Sequence, residues 1–442
     1  MLEEIGVGAF AVEAKAARQP LTLVVNDPHR FTDTRSFIDA VFAILDALPV
    51  VGSQPGVRLL VAAGTHESDA LERSAHEERM AAPYLARFAE IEWHDGADDE
   101  RLARVGEYGF HRWMAGGGFY LACGSLEPHY FAGVTGAHKT LTVGVMSRAS
   151  IERNHAGAMS PDVAPMRLAG SPVHEGIVAA LGALEKNGAR LLCVNQVIVG
   201  GRVVAVTGGH PLAALDQGVG LVRACFAHTV DEPLDVVVAR VGAPLDRDLY
   251  QADKGIKNTE AAVKDGGVLV LDAACPRGVG LDHFVEMLRA APTYAAAIEL
   301  VGRRGYRLGD HKAVRLRALT DLRGVRVAII SAAIDPATSA VLGMQVFATR
   351  EKAAAWLRQL MGELREQLVG EPRQQHMGEP REQLMGEPRQ QFMGEPRQQL
   401  VGRPRAGETE KLRGLVVDDA GNMALELASS PTPSPSPSPE IG

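Results

Sequence analysis

The sequence predicts an α/β fold in two domains, and three observations carry that expectation. Short apolar runs ending in polar loops alternate with stretches of helical periodicity, the pattern of strand–loop–helix units. The alternation lapses around 215–235 and then resumes, which separates two domains in a chain of 442 residues. Apolar residues make up 46% and aromatics only 5%, enough for real cores built mostly of Val, Leu, Ala and Ile.

Taken in order, residues 21–26 (LTLVVN) read as a buried strand that stops at Asn26-Asp27-Pro28. Residues 35–48 repeat apolar positions at helical spacing. Residues 57–63 make a second strand, followed by Gly64-Thr65-His66 and a helix with Ser68 as its N-cap candidate. In such sheets ligands gather at the carboxyl ends of strands, so the loops carrying Asp27, Arg30 and His66 are expected to face one crevice. A strand at 119–124 leads into Glu127-Pro128-His129, and 172–186 reads as a helix. Two strands follow, joined by the hairpin signal Gly200-Gly201. Past the boundary, strands are expected near 235, 267 and 326, with a polar segment holding Tyr250, Gln251 and Lys254 after the first.

From Glu351 a helix gives way to an eight-residue repeat (MGEPRQQL and variants). Gly and Pro in every unit disfavour a continuous helix. The expected organisation is an N-terminal α/β domain at 1–225, a C-terminal α/β domain at 235–368 plus 411–428, an octad-repeat insertion at 369–410, and a disordered Pro/Ser-rich tail at 429–442.

A net charge of −8 without a basic block argues against nucleic acid and anionic membrane as partners. There is no signal-peptide pattern and no apolar run long enough to span a bilayer. Four cysteines without a C-x-x-C pair read as reduced thiols of a cytoplasmic protein.

Of the fourteen histidines, His66, His129 and His155 differ from the rest. Each lies at the polar end of a strand-like run or in a glycine-rich loop. With Asp27, Arg30, Lys139 and Lys254 also at loop ends, they form a candidate site. The turn from Gly133 to Thr140 ends like a phosphate loop but has a different glycine spacing. Backbone N–H groups around Gly133, Thr135 and Gly136 are candidates for holding a nucleotide phosphate. The absence of G-x-G-x-x-G counts against a Rossmann-type NAD enzyme. Three histidines also allow a zinc hydrolase, although no H-E-x-x-H or H-x-H anchors a metal. A non-catalytic protein that binds an anionic ligand or carries a cofactor is a third reading.

At these residues the chain resembles the nickel-pincer lactate racemase family, from about residue 21 to 427 without the repeat. The family's Asn-Asp-x-Thr-Arg loop is similar to Asn26-Asp27-Pro28-His29-Arg30, and its Gly-Thr-His to Gly64-Thr65-His66. Its Glu-Pro-His-Phe-Phe-Ala-Gly…Gly-Gly-Arg-Lys stretch resembles Glu127 to Lys139. Its Asn-His is Asn154-His155, and its Tyr-Gln-x-x-Lys is Tyr250 to Lys254. Five motifs in order at long spacings make a specific signal.

The resemblance implies a racemase or epimerase of a small 2-hydroxy acid, with lactate the first choice. It implies a nickel-pincer nucleotide, a pyridinium mononucleotide whose two sulfurs and one ring carbon bind nickel, joined covalently to Lys139. His155 would be the protein's nickel ligand, and imidazole with sulfur donors in a planar set suits Ni(II). His66 and His129 would be the acid–base pair, with Arg30, Gln251 and Lys254 on the substrate carboxylate, Asp27 orienting a neighbour, and Tyr250 at the cofactor. Enzymes that build the cofactor would be partners, and the active site would lie in the cleft between domains. Two departures stand out: His29 replaces the family's Thr, and His138 its Arg. The tryptophan that lactate racemases place on the cofactor has no match, since Trp356 falls in a helix pattern.

Overall fold

The computed structural model describes residues 2–48, 56–66, 68–369 and 413–428. The octads beyond Val369 and the Pro/Ser-rich tail lie outside the described residues. Two compact units form: Met1–Thr229 with Ile298–Arg315 and Ala424–Gly442, and Val230–Ala297 with Leu316–Met423. The segment 298–315, which the sequence reading puts in the second domain, is thus assigned by its contacts to the first.

The first unit is built on a six-stranded sheet. Its strands are β1 (Leu21–Asn26), β2 (Val57–Ala62), β3 (Phe88–Trp93), β4 (Gly118–Ser125), β5 (Ala189–Val199) and β6 (Arg202–Gly209), in the order β6-β5-β4-β1-β2-β3. All neighbours are parallel except β5 and β6. Gly200 and Gly201, both at positive φ, make the two-residue turn of that hairpin. All six residues of β1 are buried, as a central parallel strand requires. Helix α1 (Val7–Ala16), α2 (Thr34–Ala47) and α3 (Ala70–Ala81) precede or follow the first strands; α4 (Ala137–Thr140), α5 (Arg148–Ala156), α6 (Pro172–Lys186) and α7 (Pro211–Phe226) come later. One core cluster joins α1 and α2 to the sheet through Phe10, Phe37, Phe42 and Leu121. Another, around Tyr120, Ala137, Leu141 and Leu181, covers α4 and α6.

The N-cap of α3 is Asp69, not Ser68. Asp69 accepts from the Glu72 amide while Glu72 reaches back to the Asp69 amide, a reciprocal box that a serine one residue earlier could not close.

The second unit carries a fully parallel sheet of β7 (Leu234–Arg240), β8 (Val263–Asp272), β9 (Arg326–Ile330), β10 (Gln345–Phe347) and β11 (Gly414–Val417), ordered β10-β9-β8-β7-β11. Helix α8 (Leu249–Thr259) follows β7, and α9 (Asp282–Ala290) follows β8. The buried Arg317 guanidinium donates to the carbonyls of Leu288, Ala291, Val341 and Leu342, which satisfies helix ends that would otherwise lack partners. Trp356 lies in a helix, Arg350–Val369, and packs near Val268 and Phe347. Cys123, Cys193 and Cys275 are buried, and all four cysteines are free. Among the described residues no helix is long and apolar enough to cross a membrane.

Candidate active site

Because β1 and β2 are parallel neighbours, the loops after them meet. His66 Nδ1 lies 2.7 Å from Asp27 Oδ2. The β1 loop is held from both sides. Asn26 receives a hydrogen bond from the Thr140 hydroxyl and donates to Thr32, and the Gln196 amide clamps Asp33 through its N–H and its carbonyl. Asp27 is only 1% exposed. Burial pushes its carboxyl up, but the adjoining His29 and His66 imidazoles outweigh that and hold it well below the usual carboxylate range. An ionised Asp27 therefore accepts a hydrogen bond from His66 Nδ1–H, leaving Nε2 as the lone-pair nitrogen. The His66 pKa is lowered, chiefly by burial, with Asp27 pulling the other way.

His129 sits on a short antiparallel pair, Pro128–His129 with Gly133–Val134. Thr135 staples this turn: its hydroxyl donates to the Ser125 carbonyl and accepts from the Glu127 amide. Gly133 and Gly136 are explained by packing within the protein. A Cβ on Gly133 would fall 2.3 Å from the Arg167 carbonyl oxygen. Gly136, at φ +155° and ψ −179°, takes a backbone conformation essentially reserved for glycine and starts α4. The first amide of α4, at Ala137, donates to Asn195 Oδ1.

Phe131 is the hub of the turn. Its ring lies 4.4 Å from that of His129, 4.8 Å from His155 and 5.0 Å from His311, with the Lys139 ammonium 5.8 Å away. His155, at the C-terminal end of α5, is fixed by its neighbour. Asn154 donates its amide to the Val173 carbonyl, so its oxygen faces His155 Nδ1 at 3.2 Å and accepts from it. Nε2 is left with a lone pair and no hydrogen bond among the described residues. Burial, then the positive charges of Lys139 and Arg30, push the His155 pKa down to about 3. A neutral imidazole with its outer nitrogen tied and its inner one free is the state a metal ligand needs. The residues present thus fit the metal the resemblance implies, with Lys139 buried against the same phenyl ring.

The remaining predicted residues belong to the second unit. Tyr250, Gln251 and Lys254 lie in the first turns of α8, where Asp248 caps the helix by accepting from the Gln251 amide. Gln251 and Lys254, three apart, share a helix face.

Sequence reasoning missed His311. Its Nε2 bonds the Tyr130 hydroxyl at 2.9 Å and its Nδ1 the Tyr306 hydroxyl at 2.7 Å, while Arg315 donates to the Tyr130 carbonyl. Nothing in the local pattern marks it, because Tyr130, the partner that ties it to the turn, lies 181 residues away in sequence. Among the described residues, donors that could share a metal ion converge at Asp27, His29 and His66, not at the His66–His129–His155 set that a zinc hydrolase would use.

Fold and site together define an α/β protein with a histidine- and lysine-based centre in its first unit. The lactate racemase N-terminal domain matches residues 8–165, and the lactate racemase C-terminal domain matches residues 230–368. A lactate racemase of Thermoanaerobacterium thermosaccharolyticum is 29% identical over 259 residues, 56% of this chain and 58% of that protein. One from Lactiplantibacillus plantarum is 25% identical over 295 residues, 64% of this chain and 66% of the other. The matched region thus spans under two thirds of either relative. The lactate racemase apoprotein structure from T. thermosaccharolyticum superposes with a TM-score of 0.68 at 22% identity, covering 76% of this chain and 80% of that one. A Thermotoga maritima protein superposes at 0.61 with 16% identity, covering 79% and 92%. These two likenesses speak for the fold. The chain belongs to the lactate racemase family.

Proposed function

We propose that this protein interconverts the two hands of a small 2-hydroxy acid, lactate being the first choice, with a nickel-pincer nucleotide held by Lys139 and His155. The observation that carries the reading is the gathering of Lys139, His129 and His155 around Phe131. The Asp27-bound His66 is tied to this group by Arg30, whose charge acts on both His66 and His155. The curated relatives that it matches are named lactate racemases.

A proton on carbon 2 of such an acid is too weakly acidic for a simple base. When bound, the cofactor would supply a reversible hydride acceptor, which makes a planar 2-keto acid open to either hand. The protein's own work is then proton transfer and orientation. His66 Nε2, presented by Asp27, takes the hydroxyl proton of one hand of substrate, and His129 serves the other hand. Arg30 binds the carboxylate, with Gln251 and Lys254 assigned to the same group. Tyr250 is assigned to the cofactor, as are the backbone groups of Gly133 and Gly136, whereas the Thr135 amide is committed to the Glu127 carbonyl. The cofactor-building enzymes are the partners this reading requires, and the cytoplasm is its setting.

Intact-mass spectrometry of the chain produced with those enzymes tests the assignment. The wild type should carry the nucleotide adduct and Lys139→Ala should not, while circular dichroism shows both folded. An adduct of equal mass on Lys139→Ala would refute it.

A further inference from the structure

The loop after β1 holds more ligating chemistry than a base and its orienting carboxylate require. His29 stands where the family pattern has Thr. Its Nδ1 lies 3.3 Å from Asp27 Oδ2, the same oxygen that His66 Nδ1 reaches at 2.7 Å, and the two imidazole rings are 4.8 Å apart. One donor atom from each of the three residues falls within 4.8 Å of the others.

This arrangement leaves polar atoms unsatisfied. Among the described residues, His29 Nδ1 is buried without hydrogen-bond geometry to a partner, and Asp27 Oδ1 is buried with none. Unpaired buried polar atoms are costly, and two in one cluster with an ionised carboxylate point to a missing cation. Two imidazoles and a carboxylate are the donor set of borderline divalent metals, and a three-ligand site keeps a position open. The donors need only small side-chain rotations to bring all three to the ~2.0–2.2 Å of metal bonds. Such a bond would replace both weak contacts of His29 and use the idle carboxylate oxygen.

We propose that Asp27, His29 and His66 form a second metal site, for a divalent cation of the zinc class, separate from the His155 position. A metal there bonds His66 through Nδ1, whose proton shifts to Nε2, and takes over Asp27, so His66 loses both its orienting carboxylate and the Nε2 lone pair. The ion should therefore inhibit turnover; this consequence rests on the proposed racemase reading, whereas metal binding itself does not.

The test uses the full chain made without cofactor. Co²⁺ is titrated while visible absorption is followed, and Zn²⁺ is titrated by calorimetry. The wild type should bind one equivalent with the spectrum of a low-coordinate nitrogen–oxygen site. His29→Thr, which restores the family's residue, and Asp27→Asn should each weaken binding by at least about 10- to 100-fold, the loss seen on removing even an outer partner of a metal ligand. His155→Ala should leave the affinity unchanged. Equal Co²⁺ binding by wild type and His29→Thr, or loss with His155→Ala alone, overturns the proposal. In cofactor-loaded protein, Zn²⁺ should inhibit the wild type at concentrations at least 10-fold below those needed with His29→Thr. If the loaded protein turns over no 2-hydroxy acid, the racemase reading fails, and the cobalt titration still decides the metal site.

Discussion

His66 and His129 are assigned matching chemistry but are held by opposite means. His66 is 34% exposed on a polar loop, and a buried carboxylate grips its Nδ1. His129 is 8% exposed, wedged between Tyr130 and Phe131, and its Nδ1 accepts from the Ala132 amide at 3.2 Å. The neutral rings therefore carry their protons on different nitrogens: Nδ1 in His66, Nε2 in His129. Adding a proton to His66 gains from Asp27. A pair of bases in a two-faced reaction need not be electrostatic twins. The Nδ1 of one meets a carboxylate and that of the other a backbone amide.

The largest effects should come from erasing either ring. His66→Ala and His129→Ala should each lower racemisation by roughly 10²–10⁴-fold, the range for a lost general acid or base. Circular dichroism from each L or D enantiomer of lactate gives the rate. Near wild-type turnover in either variant breaks the pairing of roles.

Asp27→Asn probes what separates them. Asp27 raises the His66 pKa against burial, which lowers it. Removing the carboxylate leaves burial unopposed, so the pKa falls further. The neutral base then survives to lower pH, and the acidic limb of the pH–rate profile should move to lower pH. The rate at its plateau should drop about 10²-fold or more, because the ring loses its fixed tautomer. A limb that stays in place, or moves up, contradicts the charge-tuned account of His66. The hydrogen bond to His129 Nδ1 comes from a backbone amide, which no side-chain substitution removes.

The two regions also differ in how well the sequence announced them. The polar loops were legible because β1 and β2 are apolar runs with sharp polar ends, and parallel pairing brings their ends together by rule. Asp27 beside His66 follows from that. The aromatic side was half legible. His129, Lys139 and His155 could be named from their motifs, but Phe131 as the ring that joins them could not, since contact geometry is absent from local spacing. His311 was wholly hidden, as was the placement of 298–315 with the first unit. Those depend on packing across long sequence separations. The glycines show a different limit: positive φ at Gly133 and Gly136 was readable, but the cause is close packing on Arg167, Leu126 and Asn195.

The smallest expected effect sharpens the contrast. Tyr130→Phe deletes one hydroxyl, the partner of His311 Nε2, and keeps the ring stacked on His129 and set edge-on to Phe131. His311 remains bonded to Tyr306 through Nδ1, and its Nε2 loses the hydrogen bond to Tyr130. That loss should cost about 1–3 kcal/mol of stability. At roughly 2–4 °C per kcal/mol for units of this size, the melting temperature should fall by a few degrees. The rate should change by less than about tenfold, because the removed atom holds the platform and moves no proton of the reaction. Asp27→Asn also removes a hydrogen-bond partner of an imidazole, yet its main signature should be kinetic. Differential scanning calorimetry beside the racemisation assay reads both variants. If Tyr130→Phe cut the rate as deeply as Asp27→Asn while leaving the melting temperature alone, the aromatic side would be acting in proton transfer, and the division between a carboxylate-held and an amide-held histidine would fall.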